Sequence, residues 1–76
     1  MAARAVLYTI PGCSHCDAAR EDLEWRGIDF EELDVESDEE ALQKMLQMCD
    51  GSRTVPVIAE DGKPVQIGWM GRGCSI

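Results

Sequence analysis

Two closely spaced cysteines follow a short apolar segment near the start of this chain, and their position restricts the fold more than any other feature. Residues 5–10 form a continuous apolar and β-branched run, too short for a helix and closed by a Pro-Gly pair, which predicts a buried strand. Cys13 and Cys16 come directly afterwards, where residues 14–26 show helical periodicity that ends at Gly27. A Cys-x-x-Cys pair between a strand and a helix is typical of a redox centre.

The remaining segments predict one small α/β domain, residues 1–76, with the element order β-α-β-α-β-β. Further strands are expected over residues 28–35, 54–59 and 64–69. Ser37 and Glu40 form a capping box that predicts the start of the second helix, and Asp61-Gly62 predicts a hairpin turn. The first two strands, joined through a helix, should pair in parallel.

Charge and hydropathy exclude several classes of partner. Fifteen acidic and seven basic residues give a formal net charge of −8, which disfavours nucleic acid, because phosphate binding needs clustered Lys and Arg. No apolar run approaches the roughly 20 residues that a membrane span requires. The apolar start of the chain is also too short for a signal peptide. We therefore expect a cytoplasmic protein without nucleic-acid or membrane partners.

The chain has four cysteines, and their spacing assigns them different roles. A structural zinc site would need a second close pair, so no metal site is expected. Cys13 stands where free N–H groups and the helix dipole favour a thiolate, which predicts a nucleophile that attacks disulfides; Cys16 should then resolve the mixed disulfide. Cys49 is expected to be a buried small apolar residue. Cys74, in a glycine-rich tail, is either an auxiliary thiol that exchanges with the first pair or a bystander.

Two other residues have alternative interpretations. His15, between the two cysteines, either stabilises the Cys13 thiolate or is an ordinary exposed residue of the first helical turn. Pro56, in Thr54-Val55-Pro56 at the start of a strand, is either a cis-proline or an ordinary strand-start proline.

Together these features resemble the glutaredoxin family within the thioredoxin fold. The resemblance rests on Leu7-Tyr8-Thr9 leading into the cysteine pair, on Thr54-Val55-Pro56-Val57-Ile58, on Asp61-Gly62 and on Gly68. It implies a minimal thioredoxin fold without the usual C-terminal helix, and a thiol–disulfide oxidoreductase that serves electron transport by reducing protein or small-molecule disulfides. It further implies a cis Pro56 that faces the cysteines, with Thr54, Val55 and Gly68 in substrate binding, the substrate pairing with Val55 as an added strand.

The sequence departs from the family where glutathione would bind. The family commonly has a basic residue shortly before the cysteine pair, whereas residues 9–12 contain none, and its Gly-Gly segment is replaced by Gly68-Trp69-Met70-Gly71. We therefore expect weak use of glutathione as a co-substrate, and a thioredoxin-type reductase is the alternative partner. No bound cofactor is expected. The alternative function is an iron–sulfur cluster or metal-binding module: a [2Fe–2S] cluster would lie between two chains, held through Cys13 and glutathione, and a zinc site formed by the four cysteines is a weaker option.

Overall fold

The computed structural model of the chain describes residues 5–61, 63–69 and 72–76. The elements, in chain order, are β1 (Ala5–Thr9), α1 (Ser14–Trp25), β2 (Phe30–Asp34), α2 (Glu39–Met48), β3 (Thr54–Val55), β4 (Val57–Glu60), β5 (Lys63–Ile67) and β6 (Cys74–Ser75). Within these ranges, neither helix is long and apolar enough to cross a membrane.

Four strands form the main sheet in the order β2-β1-β4-β5. The central strand β1 pairs in parallel with β2, as predicted, and antiparallel with β4; β5 then pairs antiparallel with β4. A second, two-stranded sheet consists of β3 and β6. The predicted α/β architecture is confirmed, and β6 is an addition to it.

The two helices pack on opposite faces of the main sheet, because side chains alternate along each strand. On one face, Leu7 of β1 and Ile58 of β4 pack with Ala19 and Leu23 of α1. The core on the other face joins residues of β1, β4 and α2 with the two closely spaced cysteines: Tyr8, Cys13, Cys16, Ala41, Met45, Cys49, Val57 and Ala59. Strand β1 is therefore buried on both faces, as its apolar composition predicts.

The predicted strand over residues 54–59 is divided in two at Pro56. Proline has no N–H group to donate to a ladder, so regular pairing stops there. The part before it, β3, pairs with β6, and the part after it, β4, pairs with β1. Gly62 of the predicted hairpin turn, and Met70 and Gly71 of the segment that replaces the family's Gly-Gly, lie outside the described residues.

The cap of α2 is one residue later than predicted. The Asp38 carboxylate Oδ1, and not the Ser37 hydroxyl, accepts a hydrogen bond from the Ala41 N–H at 3.2 Å, and the helix begins at Glu39. Aspartate caps helices as well as serine does, so local chemistry does not decide between neighbours. The burial of Ala41 and Met45 fixes the rotation of the helix and thereby selects Asp38.

Candidate active site

Cys13 is the N-cap residue of α1. Its backbone is extended, and its carbonyl accepts hydrogen bonds from the N–H groups of Cys16 (3.1 Å) and Asp17 (3.2 Å). The preceding Gly12 has a φ of 80°, a left-handed conformation that glycine adopts without strain, so the turn between β1 and α1 favours glycine at this position. This turn places Cys13 at the N-terminus of α1, the end of a helix that carries partial positive charge.

Cys13 is disulfide-bonded to Cys74, with 6.3 Å between the two Cα atoms. The sequence analysis expects Cys16 to bond to Cys13 when it resolves a mixed disulfide, but in this structure Cys16 is a free thiol with no exposed surface. Cys49 is also free and buried, as expected. The reason for the different pairing is long-range: strand β6 brings Cys74 to the turn between β1 and α1.

A set of backbone hydrogen bonds fixes the tail that carries Cys74. Beyond β5, the Gly68 N–H donates to the Pro56 carbonyl at 2.7 Å, and the Arg72 N–H donates to the Trp69 carbonyl at 2.9 Å. At the other end of β6, the Ile76 N–H donates to the Arg53 carbonyl at 3.0 Å. The tail is therefore attached on both sides of Cys74.

Gly73 is required for the close approach of β6 to β3, and the sequence interpretation missed it. A Cβ atom at position 73 would lie 2.5 Å from the Val55 carbonyl oxygen and 2.7 Å from Thr54 Cγ2, and both distances are much shorter than a van der Waals contact. The sequence signal was a glycine directly before a cysteine, which indicates a backbone that approaches another backbone closely. Only a glycine allows Cys74 to pair with Val55 in this register.

The predicted substrate-binding residues lie together beside this disulfide. The Val55–Pro56 bond is cis, as predicted, and both residues are fully buried. Gly68 is buried, and its N–H donates a hydrogen bond to the Pro56 carbonyl. Thr54 is half-buried, and the backbones of Thr54 and Val55 are paired with the chain's own tail. His15 is half-buried in the first turn of α1.

The environment of Cys16 disfavours its thiolate. Burial raises the pKa of the Cys16 thiol above its ordinary value, a hydrogen bond with the Ile10 backbone lowers it, and the nearby Asp17 carboxylate raises it further. Inside the core, this sulfur is therefore held as a thiol more strongly than an exposed cysteine is.

A polar network beside the first turn of α1 was also missed. Arg20 donates to Glu32 through Nε (2.8 Å) and Nη2 (2.7 Å), and its Nη1 contacts Asp17 at 3.1 Å. Glu32 also accepts from the buried Thr9 hydroxyl at 3.1 Å. The guanidinium lowers the pKa of Glu32, and the carboxylate raises the pKa of Arg20. The sequence signal was the doublet Glu31-Glu32, which interrupts the alternation of β2.

A four-stranded sheet with a helix on each face, a cysteine at a helix N-terminus and a neighbouring cis-proline define a thiol protein of the thioredoxin fold, and comparison with solved structures agrees. The glutaredoxin of Archaeoglobus fulgidus superposes with a TM-score of 0.75 at 28% identity, covering 88% of this chain and 76% of that one. The NrdH-redoxin of Escherichia coli, described as glutaredoxin-like with a thioredoxin-like activity profile, gives a TM-score of 0.66 at 32% identity, covering 92% and 82%.

The sequence model of the Glutaredoxin family matches residues 5–65, and the chain belongs to that family. A probable glutaredoxin of Synechocystis sp. is 38% identical over 56 residues, which is 74% of this chain and 51% of the relative. A Bacillus subtilis protein named N-acetyl-S-hydroxy-L-cysteine reductase is 38% identical over 53 residues, or 70% of this chain and 56% of the relative. The chain thus spans little more than half the length of these two relatives.

Proposed function

We propose that the protein is a thiol–disulfide oxidoreductase that reduces protein or small-molecule disulfides by exchange at Cys13. The observation that carries this proposal is the disulfide between Cys13, at the N-terminus of α1, and a cysteine 61 residues away. A sulfur in this position is able to exchange disulfide partners, and the helix terminus stabilises it as a leaving or attacking thiolate. Membership of the glutaredoxin family and the reductase name of the Bacillus relative support the same activity.

The reaction begins with reduction of the bond to Cys74. In the disulfide form Cys13 is only 2% exposed, so a substrate reaches it after the tail has been released. The Cys13 thiolate then attacks one sulfur of the substrate, a mixed disulfide forms, and the other half of the substrate leaves as a thiolate that takes up a proton. A second thiol of the chain completes the exchange.

The substrate binds, on this proposal, as an extended strand against the backbone of Thr54 and Val55, next to Pro56 and Gly68. The pairing of β6 with β3 supports this interpretation, because a segment of this chain already lies antiparallel to Val55 with its cysteine bonded to Cys13. A substrate strand and β6 need the same backbone groups and therefore exclude one another.

The source of electrons is either glutathione or a thioredoxin-type reductase. A net charge of −8 and the absence of a basic residue in residues 9–12 disfavour tight binding of an anionic tripeptide. We therefore propose weak use of glutathione and a cytoplasmic location, where free thiols such as Cys16 and Cys49 stay reduced. A [2Fe–2S] cluster would require a free Cys13 thiolate, so the bond to Cys74 favours disulfide exchange over the cluster-binding alternative.

A coupled assay tests the proposal. The protein is supplied with a small disulfide and NADPH and, in parallel, with either glutathione plus glutathione reductase or thioredoxin reductase. We expect turnover with at least one of these reducing systems, its loss in Cys13→Ala, and little change in Cys49→Ser, the matched loss of a free cysteine. Turnover that survives in Cys13→Ala, or no turnover with either system, contradicts the proposed function. Visible absorbance after anaerobic purification would instead support the cluster-binding alternative.

A further inference from the structure

We propose that Cys74, and not Cys16, is the second thiol of the reaction, the one that resolves the mixed disulfide at Cys13. This inference rests on the proposed function, because it names the group that completes that exchange. Its basis is the connectivity of the structure, in which Cys13 is bonded to Cys74 while Cys16 remains a free thiol. The structure therefore contains the Cys13–Cys74 disulfide that resolution by Cys74 would produce.

The fold positions Cys74 for this step. Strand β6 pairs with β3 so that Cys74 lies opposite Val55, and Val55 directly precedes the cis-proline. The hydrogen bonds from Arg72 to Trp69 and from Ile76 to Arg53 fix the chain before and after Cys74. A bound substrate strand displaces β6, so Cys74 attacks as β6 returns to β3. Because Cys74 belongs to the same chain, it does so at a higher effective concentration than an external thiol, which must first be bound.

Cys16 is less suited to the same step. Its side chain has no exposed surface and belongs to the apolar core that also contains Met45 and Val57. It lies within helix α1, whose buried residues fix its position, and burial raises the pKa of its thiol. Cys74, by contrast, is half-buried in a two-residue strand near the end of the chain. A covered, protonated thiol attacks a disulfide slowly.

The proposed step conserves atoms and electrons. In the mixed disulfide, Cys13 is bonded to one half of the substrate. The Cys74 thiolate attacks the Cys13 sulfur, the bond between Cys13 and the substrate breaks, and the second half of the substrate leaves as a thiolate that is protonated by water. The substrate has then gained two electrons and two protons, and the two protein thiols have been oxidised to the Cys13–Cys74 disulfide. An external thiol or dithiol returns the chain to its reduced form.

Gly73 acts as a positioning residue for this step. Alanine at this position would place its Cβ 2.5 Å from the Val55 carbonyl oxygen, and β6 would have to move away from β3. The substitution leaves all four thiols present. It therefore separates the position of Cys74 from its chemistry.

The test uses a symmetrical aromatic disulfide whose thiolate halves absorb visible light. Reduced wild-type protein should release both halves, in two phases, and a peptide map should then contain the Cys13–Cys74 disulfide. Cys74→Ser should release the first half at the normal rate and slow the second release at least roughly tenfold, with a mixed disulfide at Cys13 seen by mass spectrometry. Cys16→Ser should not accumulate this mixed disulfide, and Cys49→Ser is the control for the loss of a buried thiol.

Gly73→Ala adds a measurement in which no thiol is removed. The second release should slow by roughly 10- to 100-fold, while alkylation of reduced Cys13 proceeds at the wild-type rate. Release of both halves by Cys74→Ser together with a Cys13–Cys16 disulfide in the peptide map would overturn the inference and leave the proposed function intact. Loss of reactivity only in Cys13→Ala, with no mixed disulfide in any variant, would also overturn it. Undiminished reactivity in Cys13→Ala would instead contradict the proposed function itself.

Discussion

At the scale of single residues, Glu32 connects helix α1 to the sheet. It is held by Arg20 of α1 and by the Thr9 hydroxyl at the end of β1, so that one carboxylate joins three elements close to Cys16. Both members of the Arg20–Glu32 pair are about one-third exposed, at 34% and 32%, so water screens part of their attraction. The pair is nevertheless bidentate, the geometry that gives a surface ion pair its largest effect.

Glu32→Gln should destabilise the fold in a pH-dependent way. Arg20 lowers the pKa of Glu32 below its ordinary value of 4.5, so the stabilisation is present above that pH and is lost as pH falls through the lower folded-state pKa. We expect a loss of about 1 kcal/mol in the free energy of unfolding at pH 7, which shrinks near pH 3. Urea denaturation at the two pH values measures it. Asp22→Asn, which removes the more exposed pair with Arg26, is the control and should change stability by less than about 0.5 kcal/mol. An equal loss at both pH values would contradict the assignment.

At the scale of elements, the sequence predicted the strands and helices whose own residues form an apolar run or an apolar repeat. Strand β1 follows from a continuous apolar run and both helices from apolar residues at helical spacing, and Leu7, Ala19 and Met45 are buried as these patterns predict. Strands β3 and β6 have two residues each, which is too short for any pattern. They exist because they pair with each other, and only the three-dimensional path of the chain determines that pairing.

The same distinction explains which parts of the site could be predicted. Cys13 and the cis-proline at position 56 belong to local motifs, and the structure contains both where the sequence placed them. The partner of Cys13 could not be predicted from spacing, because Cys16 is three residues away and Cys74 is 61 residues away. A cysteine close in sequence is the simpler hypothesis until a strand pairing such as β3 with β6 brings another one nearer.

The cap of α2 provides a test at this scale. Asp38→Ala should lower the free energy of unfolding by roughly 0.5–2 kcal/mol, because the Ala41 N–H would lose its acceptor. Ser37→Ala removes the residue that the sequence pattern favoured, and it should change stability much less. Thermal or urea denaturation of both variants measures the difference. A larger loss in Ser37→Ala than in Asp38→Ala would show that the capping box predicted from the sequence forms in solution.

At the scale of the whole molecule, the Cys13–Cys74 bond closes most of the chain into a loop. The two cysteines are 61 residues apart in a chain of 76. The loop between them contains both helices and the strands β2, β4 and β5 of the main sheet. A domain of this size has a small core and limited stability. By constraining the unfolded state, the disulfide therefore contributes a large fraction of the free energy of unfolding. The contribution is about 4 kcal/mol for a loop of this length in the chain-entropy model and about 2–4 kcal/mol in typical measurements.

Reduction should accordingly lower the melting temperature by roughly 10–30 °C, since about 1 kcal/mol corresponds to about 4–8 °C in a domain of this size. Thermal denaturation of the oxidised protein and of the same protein with a phosphine reductant measures the shift. Cys74→Ser is the control: it should melt close to the reduced wild type and should not respond to the reductant. Equal melting temperatures for oxidised and reduced wild type would contradict the prediction.

Because folding and the disulfide stabilise each other by the same free energy, the disulfide should also be harder to reduce in the folded chain than in the unfolded chain. The dithiol form of the folded protein is then the stronger electron donor, which is the direction that a disulfide reductase requires.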